Sequence, residues 1–350
     1  MVHPPAWSVE EVAALRGFTV EWADGDGYLV SRRAQLFHTA ALRPPRQDER
    51  VLIFPRALPA RLLGQYRLGQ RLLRSLFYNV VRLPSGDLFL TFAKQIALYR
   101  RGTLMPVSGL RRPFRVLRGG AAVDREGNVY FGEYHSNEER EEVRIYCLPA
   151  GTSKAEVAHT FPAGHVRHVH GVFWEARRER LWCTSGDRGR ENRICVTDDG
   201  FRTLTEVGAG DESWRCVGLS FGPTELLYGT DAEFEPNNLY CLDMSTGART
   251  CLGPVDGPVY YAIRRGNAHF FGTTAEGCPS QAINAASIWC VTGEAKPVRL
   301  VTYRKDVWPN AFMYGTLHFA LGPQESPGVL CSLHGLANQD ERTILIRSAG

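Results

Sequence analysis

Four segments of the chain repeat one order of strands and turns, and that repeat limits the folds open to it more than any other feature. They are RHVHGVFWEARRERLWCTSGDRGRENRICV (167–196), RCVGLSFGPTELLYGTDAEFEPNNLYCL (215–242), GGAAVDREGNVYFGEYHSNEEREEVRIYCL (119–148) and, more loosely, YYAIRRGNAHFFGTTAEGCPSQAINAASIWCV (260–291). Each holds a short apolar strand, a polar turn, a second strand, an acidic or hydroxylated loop, and a third strand. Short alternating strands recurring every ~40 residues mark the blades of a β-propeller. The expectation is an all-β propeller occupying 1–350 as one domain, with six blades near 78–118, 119–161, 167–207, 215–254, 258–302 and 312–349. The first and last of these lack a full set of four strands, so the strands at 18–57 are expected to complete one of them and close the ring. A seventh blade follows if 18–57 build one of their own.

Apolar residues make up 44% and aromatics 11% of the 350 residues, enough for a packed core. A net charge of +4 is mild for this length and does not point to nucleic acid. Nine cysteines are an odd number, with no CxxC pair among them. Cys147, Cys183, Cys195, Cys241, Cys290 and Cys331 fall in expected strands and read as small buried hydrophobes in a reducing cytoplasm. The start, MVHPPAWSVEEVAALRG, has no basic segment followed by an apolar one, and no apolar run approaches the ~20 residues of a spanning helix.

Two helices are expected outside the blades. Ser8 with Glu11 forms a capping box that predicts a short helix over 9–16, ended by Gly17. In 56–77, Leu62, Leu63, Tyr66, Leu72, Leu73 and Leu76 recur at helical spacing, with Arg61, Arg67, Arg71 and Arg74 on the other faces. This predicts a helix that packs on the propeller through its leucines and turns a basic face to solvent, available to an anionic or protein partner.

Strand direction says where chemistry should lie. Antiparallel strands alternate, so the start of the first strand and the end of the second strand of every blade meet at one mouth of the channel. Arg167, His168, His170, Trp214 and Arg215 begin first strands, and Lys305 precedes the last blade in a comparable position. Glu133 and Tyr134, Asp187, and Asp231 end second strands, the first of these loops running on into Asn137 and Arg140. His168 and His170 are two apart and share a side of their strand. They suit acid–base work or chelation of a divalent metal, with His165, Glu133 or Asp187 as a third ligand. Glu133, Asp187 and Asp231 come from three consecutive blades and offer the paired carboxylates of glycoside hydrolysis. Arg167, Arg215 and Lys305 would clamp an acidic group, Tyr134 and Trp214 would stack on a sugar, and Asn137 and Arg140 would complete the binding side.

VTDDGFRTL (196–204) resembles the Asp-box turn of sialidase-like propellers through Thr197, Asp199, Gly200 and Thr203, with Leu204 in place of the family's Trp. The resemblance implies a propeller in which this turn joins the third and fourth strands on the face away from the active site. It covers one blade, and the sialidase arginine triad and Tyr/Glu pair have no match here, so sialidase activity is not implied. Two functions remain. One is a carbohydrate-active enzyme, a glycoside hydrolase or an oligouronate lyase, taking a saccharide or anionic small molecule at the channel mouth with or without a divalent metal. The other is a non-catalytic propeller that binds a protein or anionic partner.

Overall fold

The structure is a computed structural model that describes residues 6–56, 58–74, 76–293, 296–323 and 328–349. Seven four-stranded antiparallel sheets form seven propeller blades. In chain order they occupy 19–53, 77–106, 121–161, 169–210, 219–254, 259–304 and, for the seventh, 316–349 together with Ala6–Glu11. First strands touch between blades 1 and 2, 3 and 4, 5 and 6, and 6 and 7, and the first strand of blade 1 touches that of blade 7, so the ring is closed around a channel.

The blade number is therefore seven, not six. Thr19–Asp24, Gly27–Arg32, Gln35–Thr39 and Arg50–Ile53 pair among themselves as blade 1 and complete no other. Blade 2 also has its fourth strand, Thr103–Pro106, reached from Gln95–Arg100 through Arg101 and Gly102, both at positive φ. The residue that closes the ring lies even earlier. Ala6–Glu11 is a strand, not the start of a helix, and it lies antiparallel to Arg342–Ala349 with Val9 opposite Ile346. Trp7 sets its ring edge-on to Phe270 of blade 6 at 4.9 Å between centroids. The capping-box pattern loses here because blade 7 supplies only three strands of its own. An unpaired edge leaves a row of N–H and C=O groups without partners, and alternating Trp7 and Val9 fit a strand that covers it. Only Ala13–Leu15 turns, as one 3-10 turn.

The 56–77 connection forms two short helices, α1 (Leu58–Leu63) and α2 (Arg67–Leu73), broken at Gly64. Its polarity is the reverse of the expected one. Arg67 holds Asp340 through two hydrogen bonds of 2.9 and 2.6 Å, and buried Arg71 reaches Asp306 at 2.7 Å. Leu62, Leu63, Tyr66 and Leu72 face outward, Tyr66 with 74% of its surface exposed. The acids on the loops of blade 7 decide this orientation, because a partly buried carboxylate needs a cation more than a leucine needs cover. The connection thus straps blade 1 to blade 7, with Gln65 accepting from Arg33 of blade 1 at 2.9 Å.

Blade-to-blade packing sets the position of the histidine strand. The end of the second strand of blade 3 is Gly132, and a Cβ there would lie 2.3 Å from a methyl of Val169, the residue between the two histidines. The Val169 amide donates to the Glu133 carbonyl at 2.9 Å. The same arrangement recurs between Gly229 and Val259. Gly132→Ala is expected to destabilise the protein by about 1–3 kcal/mol through overpacking, measured by chemical denaturation.

Candidate functional site

His168, His170 and Asp187 are brought to one point. His168 immediately precedes the strand Val169–Glu175, and a bulge between Val169 and Gly171 re-aims His170. Asp187 follows the neighbouring strand Arg180–Ser185 across Gly186, whose φ of +141° and 2.3 Å approach to the Asn192 side chain admit no other residue without strain. The two Nε2 atoms are 3.1 Å apart, and Asp187 Oδ1 is 3.3 Å from that of His168 and 3.4 Å from that of His170. Both histidines are nearly fully buried.

The other ring nitrogens settle the tautomers. His168 Nδ1 faces the His135 carbonyl at 3.3 Å and His170 Nδ1 faces the Cys216 carbonyl at 3.0 Å. A carbonyl only accepts, so each Nδ1 carries a proton and each ring turns its Nε2 toward the cluster. Burial pushes His168 toward its neutral form, against the Asp187 carboxylate, which as a hydrogen-bond acceptor favours the charged one. Burial would raise Asp187, yet the two imidazoles beside it hold its carboxyl far below the usual range. Two Nε2 atoms and a carboxylate oxygen thus converge on one point, a set of donors that a divalent ion can take in place of the Nε2 protons. At metal–ligand lengths near 2.1 Å, ligand atoms sit about 3.0 Å apart at right angles and about 3.4 Å apart at tetrahedral angles, the separations seen here. These three residues fit a first-row divalent ion.

Arginines surround the carboxylate. Arg167 donates to Asp187 Oδ2 at 2.7 Å, and Arg215 approaches Oδ1 at 3.4 Å while its Nε donates to Asp231 at 3.2 Å. Burial lowers the Arg215 guanidinium, but Asp231 and Asp187 more than restore it. Asp231 itself is pushed up to about 7 by burial, with Arg215 opposing. Glu276, hydrogen-bonded by Tyr260 and Thr274, is likewise raised by burial.

The cluster opens on a cavity of about 380 Å³ at the channel mouth, lined by His168, Asp187, Arg167 and Tyr134 together with Arg74, Lys94, Arg115, Arg118 and five tyrosines in all. Asp187 is the one carboxylate among its described lining residues. The Tyr134 ring lies 4.2 Å from that of His168, and burial holds its phenol protonated well above neutrality. Below the cavity, Arg118 closes on Glu21 at 2.5 Å.

Of the residues named from sequence, His168, Asp187, Arg167 and Tyr134 line the cavity, and His170, Arg215 and Asp231 stand directly behind it. The others lie elsewhere. Glu133 is wholly buried inside blade 3, accepting from the Tyr146 hydroxyl and the Arg144 amide, because it points into the sheet interior. Trp214 packs between blades, stacked on Tyr228 with Arg249 over its other face at 3.9 Å. Lys305 bonds Asp306 and the Trp308 carbonyl under the strap. Asn137 binds the Glu141 and Arg167 carbonyls, and Arg140 pairs with Glu191 at 2.7 Å, so both hold loops. His165 is exposed and supplies no third ligand. Sequence reasoning missed Arg74, Lys94 and Arg115. Lys94 ends a second strand and Arg115 precedes a first strand, so the topological rule applied to blades 2 and 3 would have found both.

The Asp199 carboxylate accepts from the Thr203 amide and hydroxyl and from the Thr197 hydroxyl, and it lies between the third and fourth strands of blade 4, on the face opposite the cavity. All nine cysteines are free thiols. No described helix is long and apolar enough to cross a membrane.

No family model and no curated protein matches the chain. Among solved structures it is similar to an oligogalacturonate lyase in complex with manganese, at 10% identity and TM-score 0.59 over 99% of this chain and 92% of that one. An oligogalacturonate lyase from Vibrio parahaemolyticus gives 8% identity and TM-score 0.58 over 99% and 92%. A chain of the mitotic checkpoint complex gives 12% identity and TM-score 0.54 over 99% and 94%. At these identities the likeness shows the propeller fold and nothing finer.

Proposed function

We propose that the protein is a metal-dependent lyase acting on an acidic saccharide at the channel mouth. The carrying observation is the convergence of His168 Nε2, His170 Nε2 and Asp187 Oδ1 at 3.1 to 3.4 Å on the wall of a cation-rich cavity. His168, His170 and Asp187 would hold a divalent ion, which would supply charge to a substrate carboxylate and so favour transfer of the neighbouring C–H proton to His135, a cavity-lining imidazole that burial shifts toward its neutral form. Arg167, Arg115, Lys94 and Arg74 suit the carboxylates of a uronate, since Arg115 and Lys94 have no carboxylate partner among the described residues. Tyr134 keeps its proton through burial, lines the cavity beside His168, and would be the donor to the leaving glycosidic oxygen. The oligogalacturonate lyases that share this fold, one of them in complex with manganese, support the same reading.

Elimination is preferred to hydrolysis because the site does not offer two working carboxylates. Glu133 is sealed in blade 3, Asp231 is buried behind the cavity wall against Arg215, and Asp187 is already held by two imidazoles and two guanidiniums. The binding-module reading rested on a free basic helix. Arg67 and Arg71 are instead spent on Asp340 and Asp306, and the Arg61 side chain lies outside the described residues.

The test is incubation of the purified protein with oligouronates and with neutral oligosaccharides of the same length, each with added manganese or with chelator. Ultraviolet absorbance of an unsaturated uronate, appearing with metal and lost with chelator, is the expected result. Tyr134→Phe is expected to lower kcat by about 10²–10⁴-fold with little change in KM, the range of a general acid. Release of saturated sugars, or no product from any acidic saccharide, would count against a lyase.

A further inference from the structure

Four arginines of the described chain are classed as buried, and three of them face an acid: Arg71 meets Asp306, Arg118 meets Glu21, and Arg144 meets Glu142. Arg265 does not. It ends the first strand of blade 6, Val259–Arg265, on the face opposite the metal cluster, and only 8% of its surface is exposed. Its Nη1 donates to the Arg264 carbonyl at 2.9 Å and its Nη2 reaches the Ala320 carbonyl at a long 3.4 Å. Its buried Nε has no partner. Burial lowers its pKa, to about 10, and no carboxylate of the described residues opposes the shift.

A buried guanidinium without a counter-ion is unfavourable, and two more cations stand beside it. Arg264, half-buried, also has a buried Nε without a partner, and its Nη1 makes only a 3.4 Å contact with the Phe221 carbonyl. Arg177 is exposed at the rim. All three line a groove of about 570 Å³ between the inner turns of blades 4, 5 and 6. The acid in its wall, Glu175, is already occupied by Arg178 at 2.6 Å and by the Trp182 indole. Among the described residues that line the groove there is no second acid, so three positive charges line it with its one acid already paired.

We propose that this groove, at the opposite end of the channel from the metal cluster, binds a phosphate group. A single carboxylate would answer one guanidinium, whereas a tetrahedral dianion presents enough oxygens for Arg265 and Arg264 together, each through its forked donors. The phosphate group could be free orthophosphate or that of a phosphate ester. This site is independent of the lyase reading and stands if that reading fails.

The test is calorimetric titration of the full chain with orthophosphate, with glucose 6-phosphate and with acetate, repeated on Arg265→Gln, Arg265→Lys and Arg264→Gln. Binding of one or both phosphate compounds and not of acetate is expected. Tighter binding of orthophosphate would mark the free ion as the ligand, and tighter binding of the sugar phosphate an ester. Arg265→Gln and Arg264→Gln are each expected to weaken binding at least about tenfold, the loss of a charge-assisted pair. Arg265→Lys is expected to recover part of it. Should Arg265→Gln not fold, Arg264→Gln carries the decision. Phosphate bound in the cavity beside His168 would survive both glutamine variants, so unchanged affinity in them overturns the proposal, as does absence of phosphate binding in the wild type.

Discussion

His170→Ala and Asp187→Asn are each expected to abolish binding of a divalent ion at the cluster proposed to hold one, and to lower activity on an acidic saccharide at least about hundredfold. Each removes a ligand atom, a larger loss than the 10–100-fold typical of a group one shell further out. His170 leaves only His168 and Asp187 to hold the ion, and two ligands on a cavity wall compete poorly with water. Asp187→Asn keeps the shape but removes the charge that balances Arg167 and Arg215, which approach the carboxylate at 2.7 and 3.4 Å. Arg167 would keep only Glu138, and Arg215 only Asp231 and Glu212, so the cluster would become more positive and repel a cation as well as fail to bind it. Metal content by mass spectrometry and product formation should fall together in both variants, and chelation of the wild type should reproduce the effect. A wild type that binds no divalent ion with micromolar or better affinity, or whose activity ignores chelator, defeats the metal assignment.

Glu21→Gln is expected to destabilise the fold by about 3–5 kcal/mol, because it leaves Arg118 buried with its charge unmatched. Glu21 sits on the first strand of blade 1 and is 1% exposed, taking a hydrogen bond from Ser31 on one oxygen and Arg118 on the other. Arg118 precedes the first strand of blade 3 and also donates to the Phe319 carbonyl of blade 7. One guanidinium thus ties together three blades, including the two that meet where the ring closes. Arg118→Met is expected to cost a similar amount, since it strands the carboxylate instead. The double variant Glu21→Gln with Arg118→Met should recover a large part of either loss, because removing both partners leaves no buried charge. Chemical denaturation of the three variants measures this. Additive losses would show that the pair does not act as a unit.

The reading of strand direction carried much of the site. It placed the start of blade 4's first strand beside the end of its second, and His168, His170 and Asp187 meet there. The rule depends only on alternation of antiparallel strands, which the local sequence encodes. It could not say which way each side chain turns at the end of its strand. Glu133 directly follows the strand Val129–Gly132 and points into its sheet, whereas Asp187 stands two residues past Ser185 and points into the cavity. The spacing of the two acids in the sequence looked alike, but the strand register aligns Asp187 with His135 and not with Glu133, and Gly186 at positive φ carries the chain out to it. Trp214 failed for a related reason. Its ring fills the space above Gly208 on the fourth strand of blade 4, a contact that appears only when blades 4 and 5 are packed.

The N-terminus and the strap show the boundary most clearly. Apolar alternation, turn glycines and the 40-residue period are local properties, so the propeller class and the borders of the inner blades were legible in the chain alone. The capping box at Ser8 and the leucine spacing of 56–77 are local signals too, but here distant partners override them. Ala6–Glu11 becomes a strand because Arg342–Ala349, at the other end of the sequence, offers an unpaired edge. Arg67 and Arg71 turn inward because ring closure sets Asp340 and Asp306 beneath them. Periodicity reports a residue's neighbours along the chain, and the outcome at these places rests on backbone pairing and charge burial between segments ~300 residues apart, energies that only the closed ring brings into play.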